Sequence, residues 1–378
     1  MHDKNFSSLS SSQVVILGGG NIGSFVAKEL ADEDYSVTIL DSSFERLEVC
    51  KSLVPNSSIS TFDATNLEDY KSKMSNATLV VNALPGPIGH LALQNIVNLG
   101  ISCVDVSFTF EDPRIFNNKA KSSGSLVVSD TGIAPGISNI FAAELASKHN
   151  IQNLEIFVGG LPFRRTPPWE YAATFSPIDV IAEYVRPARI KIDNKIKSRS
   201  ALSDLRQLEI DKIGTLEAFL TDGLRSLLDL QIPNMKEYTL RYPGYAEKIL
   251  MLKDANLFSD EVIQIDGVSM TRLELTSLEL FEQWKLIPGE PEFTHLIISS
   301  IDIHGNTKGW KVHDEGADGW SSMSRTTGLS TVSFCKMLLD KTIQGTGVFM
   351  PEYFGTNSSI INRIIDDFKA KGISINRF

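Results

Sequence analysis

The stretch VVILGGGNIG at residues 14–23 decides the fold that this sequence predicts. Its apolar first half is typical of a buried strand, and apolar residues at helical spacing continue from it to Leu30. Of the spaced glycines, the first makes a tight turn, the second lets backbone approach a pyrophosphate, and the third lets helix and strand pack closely. A plain glycine-rich loop is the alternative. The predicted dinucleotide-binding residues of this turn are Gly18, Gly20, Asn21, Ile22 and Gly23.

The second predicted strand, residues 35–40, ends at Asp41, which lies 18 residues after Gly23. A carboxylate at this place accepts hydrogen bonds from the ribose hydroxyls of a dinucleotide and repels a 2′-phosphate. The next arginine is Arg46. The sequence therefore predicts NAD as the cofactor in preference to NADP. A solvated acid at the strand end, or a helix N-cap, is the alternative interpretation of Asp41.

Composition narrows the class of protein. With 378 residues, 42% of them hydrophobic and 22% charged, the chain is long enough for two domains with separate cores. A net charge of −10 without a Lys/Arg-rich run argues against a nucleic acid or an anionic membrane as partner. Cys50, Cys103 and Cys335 lack metal-ligand spacing, so we expect reduced thiols, no metal and a cytoplasmic location. No run reaches the ~20 apolar residues of a membrane span, and residues 1–12 do not resemble a signal peptide.

Strand-like and helix-like segments alternate from residue 14 to residue 129. This alternation predicts a Rossmann domain of the α/β class, with a doubly wound parallel sheet covered on both faces. After residue 136 the pattern changes to strands with period two, and residues 304–309 form a predicted hairpin turn. We expect the second part to be an α+β domain with an antiparallel sheet.

Helices are predicted at residues 216–228, 323–342 and 358–371, and a last strand at residues 373–375 is predicted to return to the first sheet. The predicted domain boundaries are 1–135 for the NAD-binding Rossmann domain, 136–322 for the α+β catalytic domain, and 323–378 for a C-terminal segment that returns to the Rossmann domain.

Polar residues follow several strands of the predicted Rossmann domain, and ligands of such sheets bind at the carboxyl ends of the strands. Residues 63–66, with the candidates Asp63 and Ala64, follow the third strand, where an adenine would lie, although a helix cap explains this segment equally well. Residues after the fourth strand would lie beside the nicotinamide ribose. They are Asn82, Ala83, Leu84 and Pro85.

Two further residues are candidates for proton transfer. His90 follows the same loop and titrates near neutrality in its ordinary state, although a histidine bonded to backbone at a helix start is an equal alternative. Asp105 ends the fifth strand and is the first candidate for a general base. A buried acid that supports another residue is the alternative for Asp105.

The second domain has candidates for substrate binding beside predicted turns. Gly160 lies in a Gly-Gly pair that interrupts a strand, where backbone can approach a ligand. Arg241 is suited to bind a carboxylate through two hydrogen bonds, and a surface ion pair is its alternative. Asp222 and Tyr242 lie beside similar turns. The six histidines show no metal-ligand or Ser-His-Asp pattern.

Taken together, these motifs resemble the saccharopine dehydrogenase family, and within it most closely the lysine 6-dehydrogenase branch. The resemblance implies a Rossmann domain interrupted by an α+β catalytic and dimerisation domain, and therefore a homodimer. Saccharopine-forming members typically have Asn-Arg-Asp where this chain has Thr-Asp-Gly at residues 221–223, which favours the lysine branch. The similar segments are residues 18–23, 82–85, 104–107, 130–136, 159–162, 240–244, 322–328 and 347–353.

The activity that this resemblance implies is NAD-dependent oxidation of the ε-amine of L-lysine to 2-aminoadipate 6-semialdehyde and ammonia. Arg241 would hold the α-carboxylate, and Asp105, or alternatively His90, would act as the base. A saccharopine-type reaction or another diamino-acid oxidation is the first alternative. A non-catalytic NAD-binding sensor is the second.

Overall fold

The computed structural model describes residues 12–173, 177–287 and 289–378. The strands of these residues are, in chain order, β1 (Gln13–Leu17), β2 (Ser36–Asp41), β3 (Ser58–Thr61), β4 (Leu79–Asn82), β5 (Cys103–Asp105), β6 (Leu126–Val128), β7 (Ile151–Pro162), β8 (Ala188–Ile192), β9 (Lys195–Arg199), β10 (Arg206–Ile210), β11 (Gly214–Leu220), β12 (Asn234–Arg241), β13 (Val262–Ile265), β14 (Val268–Thr271), β15 (Glu292–Asp302), β16 (Thr307–Asp314), β17 (Gly347–Phe349) and β18 (Ser374–Arg377).

The α-helices of the described residues are α1 (Asn21–Asp32), α2 (Phe44–Leu53), α3 (Leu67–Lys73), α4 (Gly86–Asn98), α5 (Asn117–Ser123), α6 (Ile137–Lys148), α7 (Pro177–Val185), α8 (Tyr245–Asp254), α9 (Arg272–Gln283), α10 (Ser322–Leu339) and α11 (Ser358–Ala370). Short 3₁₀ helices lie at Pro113–Phe116, Arg225–Asp229 and Pro351–Phe354. No helix of the described residues is long and apolar enough to cross a membrane.

The chain divides into two compact units, each with its own sheet. Unit 1 contains the residues up to Ile140 together with Ser324–Lys371. Its seven strands are parallel and run in the order β17-β6-β5-β4-β1-β2-β3. Without β17 this is the strand order of a dinucleotide-binding Rossmann sheet. The predicted doubly wound parallel sheet is therefore confirmed.

β1 lies in the middle of this sheet. Residues 14–17 are completely buried, as expected for a central strand that is covered by helices on both faces. This explains why its sequence is a continuous apolar run without the alternation of a strand that has one wet face. The loop after β1 leaves the sheet at its carboxyl edge, so the glycines of the opening motif lie where a ligand of such a sheet binds.

α11 completes the core of unit 1 from a distant part of the sequence. Ile360, Ile361, Ile364 and Phe368 lie on one face of the helix and are buried. Asn357 caps its N-terminus by accepting a hydrogen bond from the N–H of Ser359 (3.0 Å).

Unit 2 contains Phe141–Met323 and Gly372–Phe378, and its sheet is mixed. The main strand order is β10-β11-β12-β7-β15-β16-β18, with β8 and β9 attached beside β12. β7 and β12 are parallel, whereas the other pairs of this sheet are antiparallel, so the prediction of an antiparallel sheet holds only in part. The turn predicted at residues 304–309 does connect β15 to β16. β13 and β14 form a separate two-stranded sheet.

Two predictions about single elements are wrong. The last strand, β18, pairs with β16 of unit 2 and does not return to the first sheet, where β17 takes the edge beside β6. Residues 216–228 are not one helix but the end of β11 followed by a 3₁₀ turn. Leu216, Ala218, Phe219 and Leu220 are buried in β11, and pairing with β10 and β12 decides the conformation.

Candidate active site

The glycine turn of unit 1 has the shape of a dinucleotide cradle. Gly18 has φ +97°, and a Cβ on it would lie 2.6 Å from the carbonyl oxygen of Ala83. A Cβ on Gly23 would lie 1.9 Å from the carbonyl oxygen of Gly18. At Gly20, which is exposed and precedes α1, a Cβ would meet nothing within 4 Å. The first and third glycines therefore serve packing, and the second leaves open space before the helix N-terminus, as a pyrophosphate requires.

The peptide groups of Gly19 are hydrogen-bonded on both sides. Its N–H donates to Oδ2 of Asp41 (2.8 Å), and its carbonyl oxygen accepts from Ser24 Oγ and Cys50 Sγ, both at 3.2 Å. Ser24 and Cys50 were missed by the sequence analysis, because neither belongs to the glycine motif and their proximity arises only from the packing of α1 against α2. These bonds fix the turn without blocking its open side.

Asp41 is buried at the carboxyl end of β2, as predicted. Its second oxygen, Oδ1, accepts from the N–H of Ser43 (2.9 Å), and Ser43 itself is the N-cap of α2. Asp41 is therefore not the helix cap. The guanidinium of the mostly exposed Arg46 lies 3.4 Å from Oδ2, so one anion and one cation occupy the corner where the adenosine ribose of a dinucleotide would lie.

The residues after β3 form a hydrogen-bonded turn. Asp63 is exposed, and its Oδ1 accepts from the N–H (2.8 Å) and Oγ1 (2.7 Å) of Thr65, which lowers the pKa of Asp63. The carbonyl oxygen of Ala64 accepts from the hydroxyl of Tyr70. Asn66 is the N-cap of α3, and its side chain accepts from the N–H of Glu68, so the alternative interpretation of residues 63–66 as a helix cap is confirmed for Asn66.

The loop after β4 lies against β1. The N–H of Ala83 donates to the carbonyl oxygen of Leu17 (2.9 Å), Leu84 is half-buried, and Pro85 precedes α4. Asn82 is completely buried, and its Nδ2 donates to the carbonyl oxygen of Gly89 (2.9 Å). Its Oδ1 has no hydrogen-bond partner within the described part of the chain.

Asp105 is a saturated acceptor at the end of β5. It is completely buried, and its carboxylate accepts from Asn82 Nδ2 (3.0 Å), from the N–H and Oγ of Ser107, and from Ser129 Oγ (2.6 Å). Burial raises its pKa to about 6, although the bonds from the two serines act in the opposite direction. Because Asn82 ends β4 and Ser129 follows β6, Asp105 holds the carboxyl ends of three neighbouring strands together.

His90 is more open than Asp105. It lies in the first turns of α4 with 23% of its side chain exposed, and its ring packs against Phe116 with centroids 5.1 Å apart. Its Nδ1 lies 3.7 Å from a carboxylate oxygen of Glu111 and has no hydrogen-bond partner among the residues described. The imidazole thus lies partly exposed at the carboxyl edge of the sheet, with its Nδ1 atom buried.

Three of the candidates in unit 2 have structural partners. Asp222 accepts from the N–H, Nε and Nη2 of Arg189 (2.9, 2.9 and 2.8 Å). The hydroxyl of Tyr242 donates to the carbonyl oxygen of Pro162 (2.8 Å). Gly160 lies within β7 and pairs with Thr294 of β15. No group of three or more metal-binding side chains occurs among the residues that the structure describes.

Arg241 lies in an aromatic cluster of unit 2 and is only 2% exposed. Its Nη1 donates to the carbonyl oxygen of Leu240 (2.8 Å) and its Nη2 to the hydroxyl of Tyr184 (3.1 Å). Its Cζ lies 4.4 Å from the ring centre of Tyr171, a favourable cation–π geometry. Its Nε–H has no hydrogen-bond partner within the described residues. Tyr245 and Trp284 complete the cluster.

Two acids of unit 2 that the sequence analysis did not single out have raised pKa values, and one of them approaches Arg241. Glu183 precedes Tyr184 on α7, and its Oε2 lies 4.0 Å from Nη2 of Arg241. Glu237 lies two positions before Thr239 on β12 and four before Arg241, so the three side chains share one face of the strand. Burial raises the pKa of Glu183 to about 7 and that of Glu237 to about 8. No spacing signal in the sequence connects these acids, since α7 is remote from β12 along the chain.

Comparison with known proteins decides the family. The family model "Saccharopine dehydrogenase C-terminal domain" matches residues 132–373, and the model "Saccharopine dehydrogenase NADP binding domain" matches residues 14–128. The chain belongs to the saccharopine dehydrogenase family. Members of this family are oxidoreductases, and the second match supports a nicotinamide dinucleotide cofactor in unit 1.

The relatives of this family member are distant. The mitochondrial α-aminoadipic semialdehyde synthase of Bos taurus is 21% identical, over 98% of this chain and 48% of that protein. The saccharopine dehydrogenase [NADP(+), L-glutamate-forming] of Pyricularia oryzae is 22% identical, over 67% of this chain and 59% of that protein. The chain thus spans about half the length of the curated relatives that it matches first.

A solved structure shows the same fold. Saccharopine dehydrogenase (L-Glu forming) from Saccharomyces cerevisiae matches with a TM-score of 0.78 at 18% identity, and the match covers 97% of this chain and 99% of that one. At this identity the similarity establishes the fold of the family member described here and does not assign its substrate.

The geometry of the glycine turn predicts that alanine affects ligand binding at Gly20 and stability at Gly23. Gly20→Ala should leave the melting temperature unchanged, because its Cβ meets no atom, but it should weaken binding of the nicotinamide dinucleotide about tenfold or more by filling the space before α1. Gly23→Ala, the matched control, should lower the stability by about 1–3 kcal/mol through overpacking. Calorimetric titration and thermal unfolding measure the two effects. Unchanged affinity of Gly20→Ala for both NAD and NADP would contradict the cradle.

Proposed function

We propose that the chain catalyses the NAD-dependent oxidative deamination of the ε-amine of L-lysine to 2-aminoadipate 6-semialdehyde and ammonia, and that the aldehyde cyclises with the α-amine. The observation that carries this proposal is Arg241. A guanidinium that is buried among aromatic rings, with one N–H unpaired among the described residues, is suited to bind a carboxylate. The proposed product is the semialdehyde after which the bovine relative is named.

The region around Asp222 supports lysine over saccharopine as the substrate. Saccharopine carries additional carboxylates from its glutamate part, which need further cations. At residues 221–223 this chain has Thr-Asp-Gly, and Asp222 is engaged by Arg189 in a bidentate ion pair. A saccharopine-type reaction is the alternative that the relatives favour by name.

The cofactor would be held by the residues of unit 1 described above: Gly18, Gly20, Asn21, Ile22 and Gly23 at the pyrophosphate, Asp41 at the ribose, and the loops that contain Asp63, Ala64 and residues 82–85. When bound, a nicotinamide dinucleotide accepts the hydride that leaves the ε-carbon of the substrate. The buried carboxylate of Asp41 supports NAD, whereas Arg46 beside it is the one feature of this corner that suits a 2′-phosphate.

The remaining chemistry requires a base, and we assign it to His90. The ε-ammonium must lose a proton before the nitrogen lone pair can assist cleavage of the C–H bond, and the imine that forms must then be hydrolysed by water. The ring of His90 is partly exposed, and imidazole is the commonest general base in enzymes. Asp105 already accepts four hydrogen bonds and is completely buried, so its role is to position the strand ends.

Cofactor preference tests the role of Asp41. We expect a higher kcat/KM with NAD than with NADP, and Asp41→Ala should narrow the difference because the anion that repels the 2′-phosphate is removed. Arg46→Ala is the control, since loss of the cation should widen the difference. Initial rates with both cofactors decide the question, and a better kcat/KM of the unmodified chain with NADP would reject the assignment.

The reaction itself is tested with labelled substrate. L-Lysine with ¹⁵N at the ε position should reduce NAD and release labelled ammonia without a second amino acid, because the ε-carbon is the one oxidised. NADH absorbance and mass spectrometry of the ammonia measure this. Release of label from the α position, or turnover only with saccharopine, would replace the lysine proposal by its alternative. Binding of NAD without turnover of any such amino acid would indicate a sensor.

Variants of the two proton-transfer candidates, His90 and Asp105, should lose different properties. His90→Asn should lower kcat by roughly 10²-fold or more, because a positioned base is lost, while the melting temperature and NAD affinity stay unchanged. Asp105→Ala should lower the stability by about 2–4 kcal/mol, since several buried donors lose their acceptor. His304→Asn, in the exposed turn between β15 and β16, is the control. Full activity of His90→Asn would exclude His90 as the base.

A further inference from the structure

A basic hairpin lies at an edge of the unit 2 sheet. It consists of β8 and β9, and residues 186–199, which contain it, have six Lys or Arg residues and one acid in a chain whose net charge is −10. These cations form no continuous run, because apolar and small residues separate them along the sequence. Pairing of the two strands therefore gathers a positive charge that the linear sequence does not display.

The two cations of β8 have partners within unit 2. Arg189 forms the ion pair with Asp222 described above. Lys191 is buried, and its Nζ donates to the carbonyl oxygens of Leu228 (2.9 Å) and Leu230 (2.6 Å). These contacts anchor the inner strand of the hairpin and use up the charges that it carries.

The three cations of β9 have no such partners. Lys195, Lys197 and Arg199 are exposed, as is the whole strand, and none of them pairs with an acid within the described part of the chain. Because they occupy alternate positions, their side chains lie on one face of the strand, about 7 Å apart from one to the next. A row of three unpaired positive charges therefore lies along β9.

β9 also has an unpaired backbone edge, since among the described strands it pairs with β8 alone. The N–H of Arg189 donates to Asp222 (2.9 Å), so this residue of β8 directs its backbone groups away from β9. Its partner in the register is Ser198, and in an antiparallel pair that does not exchange hydrogen bonds both residues face outward. Ser198 and, two positions before it, Ile196 thus present free N–H and C=O groups at the edge.

We propose that β9 is a docking site for an acidic segment of a partner protein, which joins the sheet as an additional strand. The outward backbone groups bind the main chain of the segment, whereas Lys195, Lys197 and Arg199 select acidic side chains at every second position. A net charge of −10 repels an acidic partner from the protein as a whole, so the basic hairpin determines where such a partner binds.

The same features argue against other occupants of this edge. If β9 of two copies of this chain paired, cations would lie opposite cations, which destabilises a sheet and is a common protection of edge strands. A lipid surface or a nucleic acid would use the charges but not the outward N–H and C=O groups of Ile196 and Ser198. An acidic strand satisfies both the charges and the backbone.

Binding of labelled peptides tests the proposal. The peptide Thr-Glu-Thr-Glu-Thr-Glu-Thr has acids at alternate positions, and Thr-Thr-Glu-Glu-Glu-Thr-Thr has the same composition and charge without the alternation. Fluorescence anisotropy with the full chain should show that the alternating peptide binds about fivefold more tightly or better. Its affinity should fall when the salt concentration is raised from about 50 mM to about 300 mM, because the charge row is exposed.

Three variants separate the contribution of the side chains from that of the backbone. Lys197→Glu should weaken binding of the alternating peptide about tenfold or more, because it places acid opposite acid. Ser198→Pro should weaken it about fivefold or more, since it removes an outward N–H and no charge. Lys308→Glu, the matched control, makes the same change of net charge on the exposed start of β16 and should alter binding less than about twofold. Unchanged melting temperatures show that the variants are folded.

The outcomes decide between strand addition and charge alone. Equal binding of the two peptides, or full binding by Ser198→Pro, would overturn strand addition, and no binding of either peptide at low salt would overturn the site. Binding of phosphatidylserine vesicles or single-stranded DNA in place of the alternating peptide would also reject it. The proposed function is tested separately, because β9 carries no residue of the candidate active site and Lys197→Glu should oxidise lysine as the unmodified chain does.

Discussion

The close approach of α1 to β1 is the constraint on which unit 1 depends. Gly23 leaves no room for a side chain against the carbonyl oxygen of Gly18, and Gly18 leaves none against Ala83 of the neighbouring loop. Only glycine lets helix, turn and two strand ends converge this tightly. The convergence places the N-terminus of α1 at the sheet edge. Gly19 then ties the turn to Asp41, so the residues proposed for phosphate and for ribose recognition share one rigid support.

The parts of the fold that were predictable are those with local signals. Residues 14–23 and the alternation after them identify the Rossmann sheet, because periodicity and glycine spacing are properties of neighbouring residues. The edge at which β18 pairs was not predictable, since alternation identifies a strand but not its partner. Likewise, the apolar pattern of residues 216–228 fits a helix until β10 and β12 are present on either side.

The residues of the candidate site also divide into those with a local sequence signal and those without one. Asp41 and Arg241 were accessible from motifs, whereas Cys50, Glu183 and Glu237 reach their partners only through tertiary packing. Asp105 shows that the position of a residue in a motif does not by itself give its role. Its position at a strand end is common to many catalytic acids, yet in this structure its oxygens are used by Asn82 and two serines. The position of an acid at a strand end predicts that the acid has a role, and its hydrogen bonds indicate which role.

A comparison of Asp105 with Glu237 shows why hydrogen bonds must be considered together with position. Both acids are buried and both have a raised pKa, so burial alone does not show what either acid does. Asp105 has donors on both oxygens, and all of them belong to strand ends that it connects. Glu237 accepts on Oε2 from Thr221 and from the N–H of Gly223, so its donors come from the segment that follows β11. Burial thus raises the pKa of both acids, and only the donors to each carboxylate indicate which of them connects the strand ends of the sheet.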